Sequence, residues 1–233
     1  MVEFAIKWGY EMKKVIFGTS VFSKLVKWYI EHDTDDRIDA FTVEKEYRKD
    51  TVFCGTPIIP FEELDNIGKP SEISVINTCG YHKMNDIRHK IFEMCLEKGY
   101  EIGSFIHPSA CIKGAKLGLG NIILPDVLVS PYASIGNCNI IFNKTIIGHD
   151  CIVGNFNYFS GGVNTGGISM IGDHNFLGMN AVISDEIRVG SYNLIGAGAY
   201  VSRSVEEGGL LIVPQQSIAK KMKKSYLYAL IQR

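Results

Sequence analysis

The sequence carries no excess of either charge: 24 lysines and arginines stand against 25 aspartates and glutamates over 233 residues, a formal net charge of −1. The basic footprint of a nucleic-acid binder is missing, so no nucleic-acid partner is expected. No apolar run approaches the roughly 18 residues that a membrane span requires. The opening stretch, MVEFAIKWGYEMKK, contains two acids and no small-residue cleavage site, unlike a secretory leader. None of the six cysteines (Cys54, Cys79, Cys95, Cys111, Cys138, Cys151) belongs to a C-x-x-C pair. Their apolar neighbours favour reduced, packed thiols and a cytoplasmic setting. The dinucleotide fingerprint G-x-G-x-x-G is absent as well: Gly18 stands alone and Ser20 occupies the second glycine position, which argues against a bound NAD. What remains is a globular balance, 46% hydrophobic and 21% charged, sufficient for one large domain or two small ones.

What the chain does have is a repeat of six. From Leu117 in steps of six run Leu117, Ile123, Val129, Ile135, Ile141, Ile147, Val153, Phe159, Thr165, Ile171, Leu177, Ile183, Val189, Ile195 and Val201. Fourteen of these fifteen positions are aliphatic or aromatic, and Thr165 alone breaks the rule. The following residue is glycine nine times and serine four times; two residues earlier the chain is mostly small or Asn. A period of six suits neither an amphipathic helix nor one long strand. Three hexads make a triangular coil of 18 residues, with the apolar residue pointing inward, the small residue beside it and glycine where the turn needs unusual dihedrals. Ile106 and Ile112 lie one residue out of phase, which predicts an irregular first coil. Residues from about 105 to 205 then give five to six coils without a large inserted loop.

The preceding half reads differently. An apolar run, KKVIFG (13–18), leads through Thr19 and Ser20 into a helical stretch from Val21 to Glu31. Further runs follow at Ile38–Val43 and Ile73–Asn77, and then a helix from Asp86 to Lys98 closed by Gly99. This alternation implies a small parallel α/β unit whose ligand site lies at the carboxyl ends of its strands. The loops concerned are Gly18-Thr19-Ser20 and Thr78-Cys79-Gly80.

The hexads, of the pattern [LIV]-G-x-x-[STAVN]-x, resemble those of the hexapeptide acyltransferases. The order of a small α/β unit followed by this repeat resembles the bacterial nucleotide-sugar acetyltransferases of the sialic acid O-acetyltransferase type, over residues 13 to 218. The resemblance implies a Rossmann-like α/β domain (13–104) and a left-handed parallel β-helix (105–216), between an extension (1–12) and a basic C-terminal helix (217–233). It further implies acetyl-CoA as acyl donor, a nucleotide-sugar acceptor held by Gly18, Thr19, Ser20, Thr42, Cys79 and Gly80, and a cyclic homotrimer with intersubunit sites. The family's loop departs here: its usual second glycine is Val21, the histidine often next is Phe22, and the acidic pair after the second strand is Thr42-Val43. The nucleotide and the sugar are therefore left open.

Acetyl transfer needs a base for the incoming nucleophile and a donor for the tetrahedral oxyanion. His149-Asp150, in I-G-H-D-C-I-V-G, follows the inward Ile147 by two residues and so lies outside the core. An adjacent carboxylate suits a base of the triad type. The resemblance places the catalytic histidine on this segment, hence on His149 with Asp150 as support. It also places the main-chain oxyanion donor on Gly167, one coil later, and acetyl-CoA contacts on Gly167, Gly178, Met179 and Ala197. A second family histidine, nine residues on, is Tyr158 here. Of the other histidines, His107 reads as part of an opening turn, His174 sits at a different hexad position, and His32, His82 and His89 read as surface residues. No metal is expected, and a γ-class carbonic anhydrase is disfavoured because no two histidines stand five apart. The expected activity is N-acetylation of a nucleotide-linked amino sugar for a bacterial surface glycan. Two alternatives stand beside it: O-acetylation of a sugar or sialic acid-like acceptor, and a non-catalytic trimeric scaffold.

Overall fold

The computed structural model describes residues 12–214. The expected extension, Met12 apart, and the basic helix expected over 217–233 lie outside the described residues. The first part is a six-stranded sheet flanked by two helices. Its strands are β1 (Lys13–Phe17), β2 (Ala40–Val43), β3 (Val52–Phe53), β4 (Thr56–Pro60), β5 (Ile73–Asn77) and β6 (Glu101–Gly103), in the order β3-β4-β2-β1-β5-β6. All pairings are parallel except the β3–β4 hairpin. Strands β1, β2 and β5 read as near-continuous apolar runs because a central parallel sheet is covered on both faces. Helix α1 (Val21–Asp33) starts at Ser20, whose hydroxyl accepts the Ser23 N–H at 3.2 Å while the Ser23 hydroxyl accepts the Ser20 N–H at 3.0 Å. Helix α2 (Asp86–Lys98) ends at Gly99, which takes φ +75 and donates to the carbonyls of Cys95 and Leu96. The hairpin and β6 have too few residues to leave a periodic trace in the sequence.

From Phe105 to Leu211 the chain winds as a parallel β-helix of two-residue strands in three sheets of seven, six and five strands. The register is 18 residues: Ile123 pairs with Ile141, Ile147 lies over Val129, and Phe159 pairs with Leu177. The inward hexad residues from Ile123 to Val201 are buried, thirteen of them apolar and in one core cluster. The first coil is short by one residue, as its phase predicts: Ile106 pairs with Ile123 and Ile112 with Val129. The last is also irregular, with Leu211 beside Ile195.

Two features of the repeat have a different physical basis from the one its pattern suggests. The glycines after the inward residue do not supply unusual dihedrals. Left-handed φ falls two residues further on, mostly at non-glycines such as Asp126, Lys144, Asp150 and His174. The glycines are required by stacking instead: a Cβ on Gly136 would lie 2.7 Å from the Gly154 carbonyl oxygen one coil away. Thr165, the odd inward residue, bonds through its hydroxyl to the Gly148 N–H at 3.0 Å, where other coils use a carbonyl. The two strands concerned pair only at Ile146 and Asn164. The break in the pattern thus lies directly beneath the turn that carries His149.

The two parts share their cores. Val26 and Ile30 of α1 cluster with Phe105, Ile122 and Ile140 on the outside of the seven-stranded face, and Phe92 of α2 clusters with Cys138 and Phe156. The seven-stranded face is thereby covered. The six-stranded face exposes Leu128, Ile146, Val182 and Tyr200, and the five-stranded face exposes Ile152 and Met170.

Candidate active site

His149 sits on the turn between the six- and five-stranded faces, at the vertex opposite the covered face. Its side chain is 60% exposed. Nδ1 lies 2.8 Å from Asp150 Oδ2. A carboxylate only accepts, so the proton of this bond is on Nδ1, and in the neutral imidazole the lone pair is then on Nε2. Asp150 occupies the left-handed position of the turn, at φ +57, a region that Asp tolerates better than most residues. Gly167 lies one coil beyond, against the imidazole: a Cβ there would be 2.5 Å from Nε2. A bare backbone is therefore needed for His149 to hold its place. The Gly167 N–H is already engaged, donating to Asp185 Oδ1 at 2.8 Å.

The next vertex, between the seven- and six-stranded faces, carries the other expected donor contacts. Gly178 is buried against the backbone of Gly196 and Ala197, whose nitrogen would be 2.4 Å from a Cβ on Gly178. Met179 and Ala197 are exposed one above the other, with the Gly198 N–H donating to the Met179 carbonyl at 2.8 Å.

The two loops expected to hold the acceptor meet in a cavity of about 480 Å³ lined by Gly18, Ser20, Phe22, Thr78, Cys79, Gly80, Tyr81, His82 and Tyr158, among others. It opens where β1 and β5 diverge, at the topological switch point of the sheet, since β2 lies on one side of β1 and β5 on the other. Gly18 takes φ +113, and a Cβ there would be 3.0 Å from both Ser23 Oγ and Thr78 Oγ1. A relay of hydroxyls stiffens this wall: Ser20 to Ser23 at 2.9 Å, Ser23 to Thr78 at 2.8 Å, and Thr78 donating to the Phe17 carbonyl at 2.7 Å. The floor is aromatic. Tyr158 stacks on Phe176 with centroids 5.4 Å apart, and Tyr81 meets both edge-on. Burial pushes the Tyr158 phenol up to about 12 and the Cys79 thiol up to about 12.

Of the expected acceptor residues, Gly18, Ser20, Cys79 and Gly80 line this cavity, whereas Thr19 lines a neighbouring hollow with Tyr47, Arg48 and Lys49. Thr42 is fully buried; its carbonyl takes the Gly18 N–H at 2.8 Å, and its hydroxyl has no partner among the described residues. Sequence reasoning did not find Tyr81 or His82, which follow a named loop without any motif of their own. Nor did it find Arg88, which betrays itself only as a charge on the apolar stripe Ile91, Phe92, Cys95 of α2. His174 is buried, stacks on Tyr192 and donates to or accepts from none of the site groups, whereas His89 lies at the surface with one ring face stacked on Phe156. Among the described residues no group of three or more His, Cys, Asp or Glu is placed to hold a metal, and no helix is long and apolar enough to cross a membrane.

No protein-family profile and no curated protein matches the chain. Solved structures do. The acetyltransferase domain of PglB from Neisseria gonorrhoeae in complex with acetyl coenzyme A is similar at 23% identity and TM-score 0.76, over 87% of this chain and 96% of that one. PerB from Caulobacter crescentus, in complex with CoA and GDP-perosamine, is similar at 22% identity and TM-score 0.75, over 90% and 95%. WeeI from Acinetobacter baumannii is similar at 24% identity and TM-score 0.71, over 85% and 95%. At these identities the likeness establishes the fold: an α/β sheet joined to a parallel β-helix that fits the left-handed hexapeptide-repeat form.

Proposed function

We propose that this chain is an acetyl-CoA-dependent N-acetyltransferase whose acceptor is a nucleotide-linked amino sugar. The observation that carries the reading is the pairing of a carboxylate-oriented imidazole, His149-Asp150, with a neighbouring coil pared to glycine at Gly167. Asp150 holds the Nδ1 proton, so His149 Nε2 takes the proton from the attacking amine as the bond to the acyl carbon forms. Asp150 then stabilises the imidazolium, which returns its proton to the departing thiolate. Because the Gly167 N–H is bound to Asp185, its service as oxyanion donor requires that bond to be shared or exchanged as the tetrahedral centre develops. Gly178, Met179 and Ala197 are the donor contacts in this reading. The α/β half, residues 13–104, is the Rossmann-like acceptor domain, its nucleotide phosphates received at Gly18 and Ser20 by the amino end of α1.

The cavity lies on the covered face and His149 at the opposite vertex, so one chain does not bring its own base to its own acceptor. This supports a cyclic trimer in which one copy supplies His149 and the next supplies the cavity. The exposed apolar residues of the two uncovered faces support burial against a second copy. The kinship in fold with structures solved with CoA and GDP-perosamine supports both substrate classes.

The test is release of free CoA thiol from acetyl-CoA with a panel of UDP-, TDP- and GDP-linked amino sugars, for the wild type and His149→Ala. Turnover with a member of the panel, abolished in the variant, is the expected result. CoA binding without turnover on any member would move the acceptor to an alcohol; absence of CoA binding would leave a scaffold.

A further inference from the structure

Arg88 is fully buried, on the inward stripe of α2, and no ion pair among the described residues includes it. A guanidinium has five N–H donors. Each of the five is used, and each goes to a backbone carbonyl. Nε donates to Cys138 at 2.8 Å, Nη1 to Cys79 and Gly80 at 3.0 Å each, and Nη2 to Phe156 at 2.7 Å and Asn157 at 3.1 Å. Burial brings its pKa down to about 10, which leaves it charged at neutral pH. A buried cation without a counter-ion is costly, and full satisfaction of its donors is what makes it tolerable.

The five carbonyls belong to two different parts of the molecule. Cys138, Phe156 and Asn157 lie on consecutive coils at the vertex beside α2, whereas Cys79 and Gly80 form one wall of the acceptor cavity. On one side the wall is anchored to β1, where the Thr78 N–H and hydroxyl both donate to the Phe17 carbonyl. Of its ties to the β-helix, those of Arg88 act on Cys79 and Gly80 themselves, whereas Tyr81 and Asn85 are held further along the loop. Past Gly80 the loop runs through Lys83, Met84 and Asn85, all at positive φ (50, 49 and 70), a conformation that side chains resist. A second tie of Cys79 also passes through α2: Asn77 accepts the Cys79 N–H at 3.1 Å and donates to the Arg88 carbonyl at 2.9 Å. Lysine, with three donors on a single point, has no geometry to span both sets of carbonyls.

We infer that Arg88 is a positioning residue for the acceptor: it clamps the Cys79–Gly80 wall to the β-helix and so sets the cavity for a nucleoside diphosphate group. The inference rests on the reading of that cavity as the acceptor site. It is tested by calorimetric binding of UDP, GDP and dTDP, and by steady-state kinetics, on the wild type, Arg88→Lys and Asn77→Ala. Arg88→Lys is expected to raise the diphosphate Kd and the acceptor KM about tenfold, one decade being the loss of a single good interaction, with the acetyl-CoA KM unchanged. Asn77→Ala leaves Arg88 in place and loosens the same wall, so it is expected to shift the same constants by a smaller factor and answers the question if Arg88→Lys fails to fold. A folded Arg88→Lys with unchanged acceptor constants, or with both substrates weakened alike, overturns the positioning role. Wild-type protein that binds none of the three diphosphates overturns the acceptor site itself, and with it this inference.

Discussion

Both halves of the molecule are parallel sheets of aliphatic residues, yet they are built on opposite terms. In the β-helix each strand is two residues long and, between the irregular first and last coils, every neighbour lies 18 positions away, so a side chain meets the same contact in each coil. In the α/β half, β1 lies between β2 and β5, and Lys13 pairs with Ile73 sixty residues on, a partner that no local pattern announces. A periodic chain writes its tertiary contacts into its sequence; an aperiodic one leaves them to packing. The chemistry divides along the same line. The proposed base sits on the periodic half and the proposed acceptor cavity on the aperiodic one, with Tyr158 reaching it from the covered face.

The contrast can be broken at several points. His149→Ala should lower turnover by about a thousandfold, within the usual range for loss of a general base, while CoA and nucleoside diphosphate binding persist because the side chain is exposed. Thiol release measures it, and a variant with a tenth or more of wild-type activity would shift the chemistry away from the β-helix. Gly136→Ala should destabilise by about 3 kcal/mol, since its Cβ would press on the next coil. Gly80→Ala, whose Cβ meets nothing within 4 Å, should change stability by less than about 0.5 kcal/mol. Denaturant unfolding of both variants sharpens the comparison; equal losses would erase it.

Thr165→Val makes the inward stack wholly apolar, yet should cost about 1–2 kcal/mol, because the buried Gly148 N–H loses its acceptor. Increased stability of that variant would mean that the hydroxyl bond contributes little. The smallest effect concerns the joint between the halves. Burial lowers the pKa of His174 from 6.5, against the raising influence of the Met84 carbonyl and Asp86; His89 also lowers it, Asp173 raises it, and Phe156 and Tyr192 pack on its ring. A histidine depressed in the folded state binds its proton more readily unfolded. Its contribution is therefore complete above pH 6.5 and is lost as pH falls through the folded value. The melting temperature should drop between pH 7.5 and 5.5, and His174→Gln should flatten that slope.

How far each half was legible follows from where its signals lie. The helices Val21–Asp33 and Asp86–Lys98 were marked by Ser20 and Gly99 at their ends, and β1 and β5 by unbroken apolar runs. The β3–β4 hairpin and β6 were not, being two to five residues long and without alternation. For the site, His149-Asp150 was readable because the hexad register says which residues face out. Thr42 was not: as a polar residue within the apolar run Ile38–Val43 it does not reveal that it is fully buried in β2 rather than open to a ligand. The nine recurring glycines announced a tight turn, but not that stacking rather than dihedral angle excludes a side chain.

The amino-acid order alone determined the coil, its 18-residue register, the inward stack and the outward position of His149, because in a repeating fold spacing along the chain is spacing in space. Only the tertiary structure decided the rest. It set the covered face beneath α1 and α2, joined Tyr158 to Tyr81 of the loop after β5, engaged the Gly167 N–H with Asp185, and gathered five carbonyls around Arg88. Each of these depends on groups from two or more elements meeting in a geometry that no single segment encodes, and buried polar atoms accept only the partners that the finished packing provides.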